Sequence, residues 1–195
     1  MWDERYSGDD FAYGTHPNDF LAAAVDELPV GRVLCLAEGE GRNAVWLARR
    51  GFDVTAVDMS RVGLDKARKL ADAHGATIRT IHADLAEYMI EPEDWDVIVS
   101  IFCHLPPPLR RAVHRQSVAG LREGGVFLLE GFTHSQLRLG TGGPPSADLM
   151  MDLETLRDEL AGLDLIHAEE LERTIHEGEF HNGLSAVVQV VGVKS

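Results

Sequence analysis

The feature that most constrains this chain is its alternation, from Gly31 to Gly131, of short apolar runs with segments of helical spacing. Arg32 to Leu36 reads as a buried strand, and Asn43 to Arg50 as a helix with Ala44, Leu47 and Ala48 on one face. Gly51 stops that helix, and Asp53 to Val57 is the next strand. Ser60 is placed to cap a helix to about His74, with Leu64, Ala67 and Ala71 three and four residues apart. Thr77 to His82 and Trp95 to Ile101 follow as strands. A helix from about Leu109 to Leu121 lies beyond Pro106-Pro107-Pro108 and leads into the strand Val126 to Glu130. Strands alternating with helices in this way predict an α/β fold: a mostly parallel, doubly wound sheet covered on both faces. Ligands bind such sheets beyond the carboxyl ends of the strands, where the strand order reverses.

The flanks differ. Asn18 to Leu28 reads as an amphipathic helix, preceded by an arm carrying Tyr6, Phe11 and Tyr13. Downstream, Gly140 to Pro145 is a loop, open to reading as a lid or as a plain connection, and Leu153 to Leu160 is a short helix. Leu165 to Leu171 and Ala186 to Val193 are strand-like and are expected to close the sheet edge as an antiparallel hairpin. The polar sequence between them, with His176 and His181, reads as surface turn. The expected organisation is one domain: arm and helix over 1–30, a core over 31–131, and an edge unit over 132–195.

Composition narrows the function classes. Hydrophobic residues make up 45%, enough for a core, and no apolar run approaches the roughly 18 residues of a membrane span. The charged N-terminus has no signal-peptide core, so a cytoplasmic protein is expected, with no membrane partner. A formal net charge of -14 argues against nucleic acid as a partner. Arg110, Arg111 and Arg115 read as a solvated helix face, and Cys35 and Cys103 as buried free thiols. The histidines fall into no zinc spacing, so no metal is expected.

The chemistry is carried by Ala37-Glu38-Gly39-Glu40-Gly41-Arg42-Asn43, between the first strand and the first core helix. Gly39 and Gly41 permit a sharp turn and close backbone approach to a ligand. Asp58, ending the second strand, is placed to accept hydrogen bonds from both ribose hydroxyls of a nucleoside. Asp84 suits an adenine amino group or the cap of a short helix after it. The loop also satisfies the dinucleotide fingerprint through Gly39, Gly41 and Ala44. Glu38 and Glu40 oppose a pyrophosphate there and favour a ligand bearing a sulfonium and an ammonium, while Arg42 suits a ligand carboxylate.

Residues 32 to 131 resemble class I S-adenosylmethionine-dependent methyltransferases, and the arm motifs Trp2 to Tyr6 and Tyr13 to Phe20 resemble the small bacterial tellurite-resistance and thiopurine enzymes. Gly39 to Asn43, Val57 to Ser60, Ala83 to Leu85, Ser100 to Pro106 and Glu123 to Gly125 carry the likeness. It implies S-adenosylmethionine as cofactor, with S-adenosylhomocysteine as product, and methyl transfer to a small-molecule acceptor by a monomer or weak dimer. The implied cofactor contacts are Tyr13, Ala37, Glu38, Gly39, Gly41, Asn43, Asp58, Met59, Asp84, Leu85, Ile101 and Phe102. No catalytic residue is assigned; His104 is the first candidate for a base, and equally reads as a structural histidine bonded to backbone, with Glu130 and His134 also on the expected acceptor side. Two positions depart from the family pattern: Cys35 stands where a first-strand acid is usual, and Ala37 where a glycine is. A non-catalytic cofactor-binding module and a nicotinamide-dependent oxidoreductase are the alternative readings.

Overall fold

A computed structural model describes residues 1–195 and opens on the one-turn helix α1 (Trp2–Arg5). The strands β1 (Arg32–Leu36), β2 (Asp53–Asp58), β3 (Arg79–His82), β4 (Trp95–Ile101), β5 (Leu121–Phe132), β6 (Leu163–Glu177) and β7 (His181–Lys194) form one sheet in the order β3-β2-β1-β4-β5-β7-β6. The first five pair in parallel and β7 runs antiparallel to both β5 and β6, so the expected α/β, doubly wound, seven-stranded architecture is the one observed.

Each central strand sends alternate side chains to opposite faces. Val33, Cys35, Val54, Ala56, Val97, Val99, Val126 and Leu128 meet one helical layer: α2 (Asp19–Ala24), α3 (Arg42–Ala48) and α4 (Arg61–Ala73), through Leu21, Leu47 and Leu64. Leu34, Leu36, Ile98, Phe127 and Leu129 meet the other layer: α5 (Pro107–Gly120) and α6 (Leu153–Glu159), through Val113 and Leu156. Burial on both faces explains why these strands read as continuous apolar runs, each large side chain contributing roughly 1.5–3 kcal/mol. Helix starts follow their caps: Asn18, Ser60 and Asp152 each accept a backbone N–H through the side chain. α5 starts at Pro107, two residues before the expected Leu109, because a proline is tolerated where an N–H is orphaned anyway.

Three expectations are corrected. The sheet edge is a long hairpin joined only by Gly178 to Phe180; most of the stretch read as surface turn is strand. Its exposed alternate positions carry Glu172, Thr174 and His176 on a solvated face, which masked the period. Arg110 is not on a solvated face: it is 4% exposed and forks onto Glu159 of α6, with Nη1 donating to Met150 O at 3.1 Å. His114 shares Glu159 at 2.7 Å; although burial opposes its charge, His114 and Arg110 hold this carboxyl down at about 2. The turn after Asp84 does not continue into a helix. No helix is long and apolar enough to cross a membrane, and Cys35 and Cys103 are both buried and unpaired.

Removing one partner of the Arg110–Glu159 pair strands a buried charge. Glu159→Ala is expected to lose about 3–5 kcal/mol in urea unfolding, against less than about 1 kcal/mol for Asp158→Ala, whose pair with Arg111 is exposed.

Candidate functional site

The strand order reverses between β1 and β4, so the connections leaving those strands splay apart and bound a crevice at their carboxyl ends. Ala37, Glu38, Phe102 and Tyr13 keep partial exposure there although they adjoin buried strands. Two of the three non-glycine residues with positive φ line this crevice: Ala37 at 48° and Phe102 at 51°. Ala37 therefore takes the left-handed conformation in which a glycine costs nothing, and the local strain sits at the site.

The loop after β1 is held from inside. Glu38 folds back so that Oε1 accepts the N–H groups of Asn43 and Ala44, at 3.0 and 2.8 Å. It thus caps α3 from the loop, with Cys35 beneath it, and supplies the fixing carboxylate that the first strand lacks. Burial pushes its carboxyl up to about 7. Glu40 is turned inward too, accepting from Ala12 N at 2.8 Å and Lys66 Nζ at 2.7 Å, which ties the arm to the loop. The expectation that both acids present free charge to a ligand is corrected: their first task is internal.

Gly39 and Gly41 have φ of 61° and 89°, but each makes room for protein. A Cβ on Gly39 would lie 2.6 Å from Tyr6 Oη, and one on Gly41 would lie 2.6 Å from Ala67 Cβ of α4. Asp58, buried at the end of β2, accepts from Gly39 N at 2.8 Å and Ser60 N at 2.7 Å. Burial raises its carboxyl pKa despite those bonds. Each of its oxygens keeps a second lone pair for a ligand. Met59 is exposed beside it, Asp84 is exposed with Oδ1 accepting from Ala86 N, and Leu85 is buried behind. Ile101 is buried under the crevice. Asn43 does not face the crevice with free groups: its Oδ1 accepts from Asn18 N at 2.9 Å.

The opposite wall is aromatic. Phe102 stacks on Phe132 at 4.5 Å between centroids, and Tyr13 comes down from the arm. His104 adjoins them, but Nδ1 donates to Leu149 O at 2.8 Å and Nε2 accepts from Phe132 N at 3.2 Å. Burial lowers its pKa to about 4. With both nitrogens bonded to backbone, His104 is a structural histidine and not the base. Glu130 is fully buried and holds Arg173, Gln189 and Asn18, so it does not serve the crevice, and His134 is exposed. The Gly140 to Pro145 loop is pinned by Gln136, whose Nε2 donates to Thr141 Oγ1 and Gly142 O, which makes it a connection.

Two residues, Tyr6 and His181, carry no site role in the sequence reading, whereas Arg42 already suits a ligand carboxylate there. Tyr6 packs over Gly39 and Gly63, where burial and the nearby Asp58 push its phenol far above the ordinary range. His181, expected at the surface, is 7% exposed and stands between Tyr13 and Phe102. Arg42 is 8% exposed; Nη2 donates to Glu177 at 2.7 Å while Nη1 is buried without a partner. Such a donor is worth more satisfied than orphaned, which makes Nη1 a candidate to donate to a ligand carboxylate.

Known proteins resemble this chain over part of its length. A family model described as a methyltransferase domain matches residues 33–125. An uncharacterised methyltransferase of Bacillus subtilis is 32% identical over 104 residues, 53% of this chain and 40% of that protein. The tRNA 5-carboxymethoxyuridine methyltransferase of Escherichia coli is 32% identical over 103 residues, 50% of this chain and 39% of that one. This chain thus spans about two fifths of the length of these curated relatives. Among solved structures, one described under the conversion of a disulfide bond into a thioacetal group in echinomycin biosynthesis superposes with a TM-score of 0.78 at 21% identity, covering 99% of this chain and 88% of that one.

The Glu38 carboxyl makes a signed pH prediction. Its native pKa of about 7 lies above its ordinary 4.5, so its contribution to stability is full below about 4.5 and is lost as pH rises through 7. Glu38→Gln keeps an acceptor for Asn43 and Ala44 but cannot ionise. In urea unfolding the variant should gain on wild type between about pH 5 and pH 8; a constant difference would contradict a buried, raised carboxyl.

Proposed function

On the premise that residues 33–125 belong to the methyltransferase-domain family, we propose that this protein is an S-adenosylmethionine-dependent methyltransferase acting on a small-molecule acceptor. The observation that carries this reading is the convergence, at one switch point, of the Gly39–Gly41 loop, the buried Asp58 and the unpaired Arg42 Nη1. A nucleoside with an attached amino-acid chain needs all three: a ribose acceptor, a close backbone and a carboxylate donor. When bound, S-adenosylmethionine supplies an activated methyl group on a sulfonium.

The residues of the chain then bind, orient and exclude water. Asp58 accepts from the ribose hydroxyls, and Asp84 from the adenine amino group, with Met59 and Leu85 against the ring. Ala37 to Gly41 border the amino-acid chain, and Arg42 Nη1 donates to its carboxylate. Ile101 and Phe102 lie beneath the transferring methyl, and Tyr13 covers it. Asn43 acts through the arm, as a positioning residue.

A net charge of -14 supports a small acceptor over a polyanion. The tRNA substrate of the Escherichia coli relative belongs to that protein. The arm motif supports placing the chain near the tellurite-resistance and thiopurine enzymes.

Calorimetry tests the reading. S-adenosylmethionine and S-adenosylhomocysteine should bind and NAD should not; binding of NAD alone would overturn it. Asp58→Ala should weaken S-adenosylhomocysteine at least tenfold. Arg42→Met should weaken it about tenfold or more, the worth of one hydrogen bond to a charged group. Methylthioadenosine, which lacks the carboxylate, should bind this variant as it binds wild type.

A further inference from the structure

The crevice is sealed where a cofactor would need it open. Arg42 Nη1 and His181 Nδ1 are both buried without a partner. Both residues border one oxygen, Glu177 Oε2, at 2.7 Å through Arg42 Nη2 and at 3.6 Å from His181 Nδ1. A buried polar group left unbonded costs more than one hydrogen bond returns. Closing this region therefore carries a cost that water or a ligand would remove. No ligand carboxylate reaches Arg42 Nη1 until the chain above it moves.

That chain is the arm, and it is built as a strap with fixed ends. At one end Asp3 accepts from Ser60 Oγ and Val62 N at the start of α4, and Tyr6 is buried over Gly39. At the other, Asn18 is fully buried and its N–H donates to Asn43 Oδ1. Between them, Phe11 to Pro17 forms neither helix nor strand. Ser7 to Asp9 are exposed and border a groove of about 410 Å³ over α4, so this part of the arm bridges the helix without packing on it.

The middle of the strap is held by a few ties to separate elements. Ala12 N donates to Glu40 Oε2 at 2.8 Å, and Lys66 Nζ donates to Asp10 O at 2.7 Å. Ala12 O accepts from Glu179 N, in the β6–β7 turn, at 3.0 Å. The two backbones cross closely, since a Cβ on Gly14 would lie 3.4 Å from Gly178 N. Tyr13, among these ties, holds its ring 4.6 Å from that of His181. Burial raises the Tyr13 phenol pKa while the charges of Arg5 and Arg42 oppose the rise, so both cations lie near the ring. Arg5, on the fixed side, stacks over Phe180 at 4.1 Å and holds the turn independently of the strap.

We propose, on the methyltransferase reading above, that Phe11 to Pro17 is a gate latched on Lys66 and on the β6–β7 turn. It opens to let the amino-acid end of the nucleoside reach Arg42, and closes over it. The two states are balanced against each other. Closed, the strap gains its ties and strands two polar nitrogens. Open, it loses the ties and lets water satisfy both nitrogens. A carboxylate on Arg42 Nη1 removes part of the cost of closing, and this differential contact is what allows the ligand to shift the equilibrium.

Hydrogen exchange followed by NMR tests the gate without any substitution. In the free protein the amides of Ala12 and Glu179, although bonded, should be protected at least 100-fold less than those of Asn18 and Leu21, because local opening exposes them. S-adenosylhomocysteine should slow exchange at Ala12 and Glu179 at least tenfold. Strap amides as protected as that of Asn18 in the free protein, or unchanged by bound S-adenosylhomocysteine, would overturn the gate. Failure of S-adenosylhomocysteine to bind in calorimetry would instead sink the underlying reading, and the free-protein comparison would still judge the strap. Stopped-flow binding reads the latch. The observed rate should level off at the opening rate as S-adenosylhomocysteine rises, and Lys66→Met, which removes the tie to Asp10, should raise that plateau at least threefold. Lys69→Met, on the same helix and bonded to nothing in the arm, should leave it within about 1.5-fold of wild type. A wild-type rate that climbs linearly throughout, or a plateau that Lys66→Met does not move, counts against a latched strap.

Discussion

Everything at the crevice hangs on Asn18. This residue is fully buried, and each of its polar groups is used: Oδ1 caps α2 at Leu21 N, its N–H donates to Asn43, and Nδ2 donates to both Glu130 and Glu177. One side chain therefore joins the arm, the start of α3, the end of β5 and the turn of the β6–β7 hairpin. The two carboxylates it bridges would be costly to bury alone, and Arg173 and Arg42 balance them. Tyr13, Arg42 and His181 each sit within a few residues of a member of this network. Their placement follows from its closure, because a half-satisfied buried network costs more than an apolar core would.

The loop after β1 shows the same economy by another route. Where a first-strand acid is usual, Cys35 packs apolar and uncharged, and the carboxylate comes from Glu38 in the loop itself. The result is a loop fixed at both ends by acids, Glu38 on the α3 N-terminus and Asp58 on Gly39. Ala37 accepts the strain of the turn between them, as Phe102 does across the crevice, where its N–H donates to Glu130 O at 2.7 Å. Two strained residues, each directly following one of the neighbouring strands β1 and β4, place the backbone strain at the switch point.

The sheet and its helices were legible because burial on both faces writes itself into each strand as an apolar run, and caps such as Ser60 announce their helices. The glycine loop and Asp58 were legible as a motif. What stayed hidden depended on contacts distant in sequence. The polar stretch before Ser185 reads as turn because its exposed face is charged, yet backbone pairing with β7 makes it strand. His181 is buried by the arm and by the ends of β4 and β5, elements no local pattern ties to it. Arg110 looks solvated until Glu159 arrives from α6. The two glutamates of the loop were read as facing a ligand, because sequence shows that a charge is near a site but not which way it turns.

The crevice that results has two unlike walls. On the β2–β3 side stand Asp58 and Asp84, acceptors suited to a polar nucleoside. On the β4–β5–β7 side stand Phe102, Phe132 and His181, closed over by Tyr13. The division follows from topology, since β1 and β4 are neighbours whose connections run to opposite sides of the sheet. Phe102 stands at the seam, its left-handed backbone turning the chain from one wall to the other. A ligand charged at one end and an apolar ring at the other can meet there without either exchanging its favoured surroundings. That separation also divides the histidines: His104, locked to backbone, builds the aromatic wall, while His181 packs within it with its Nδ1 unpartnered.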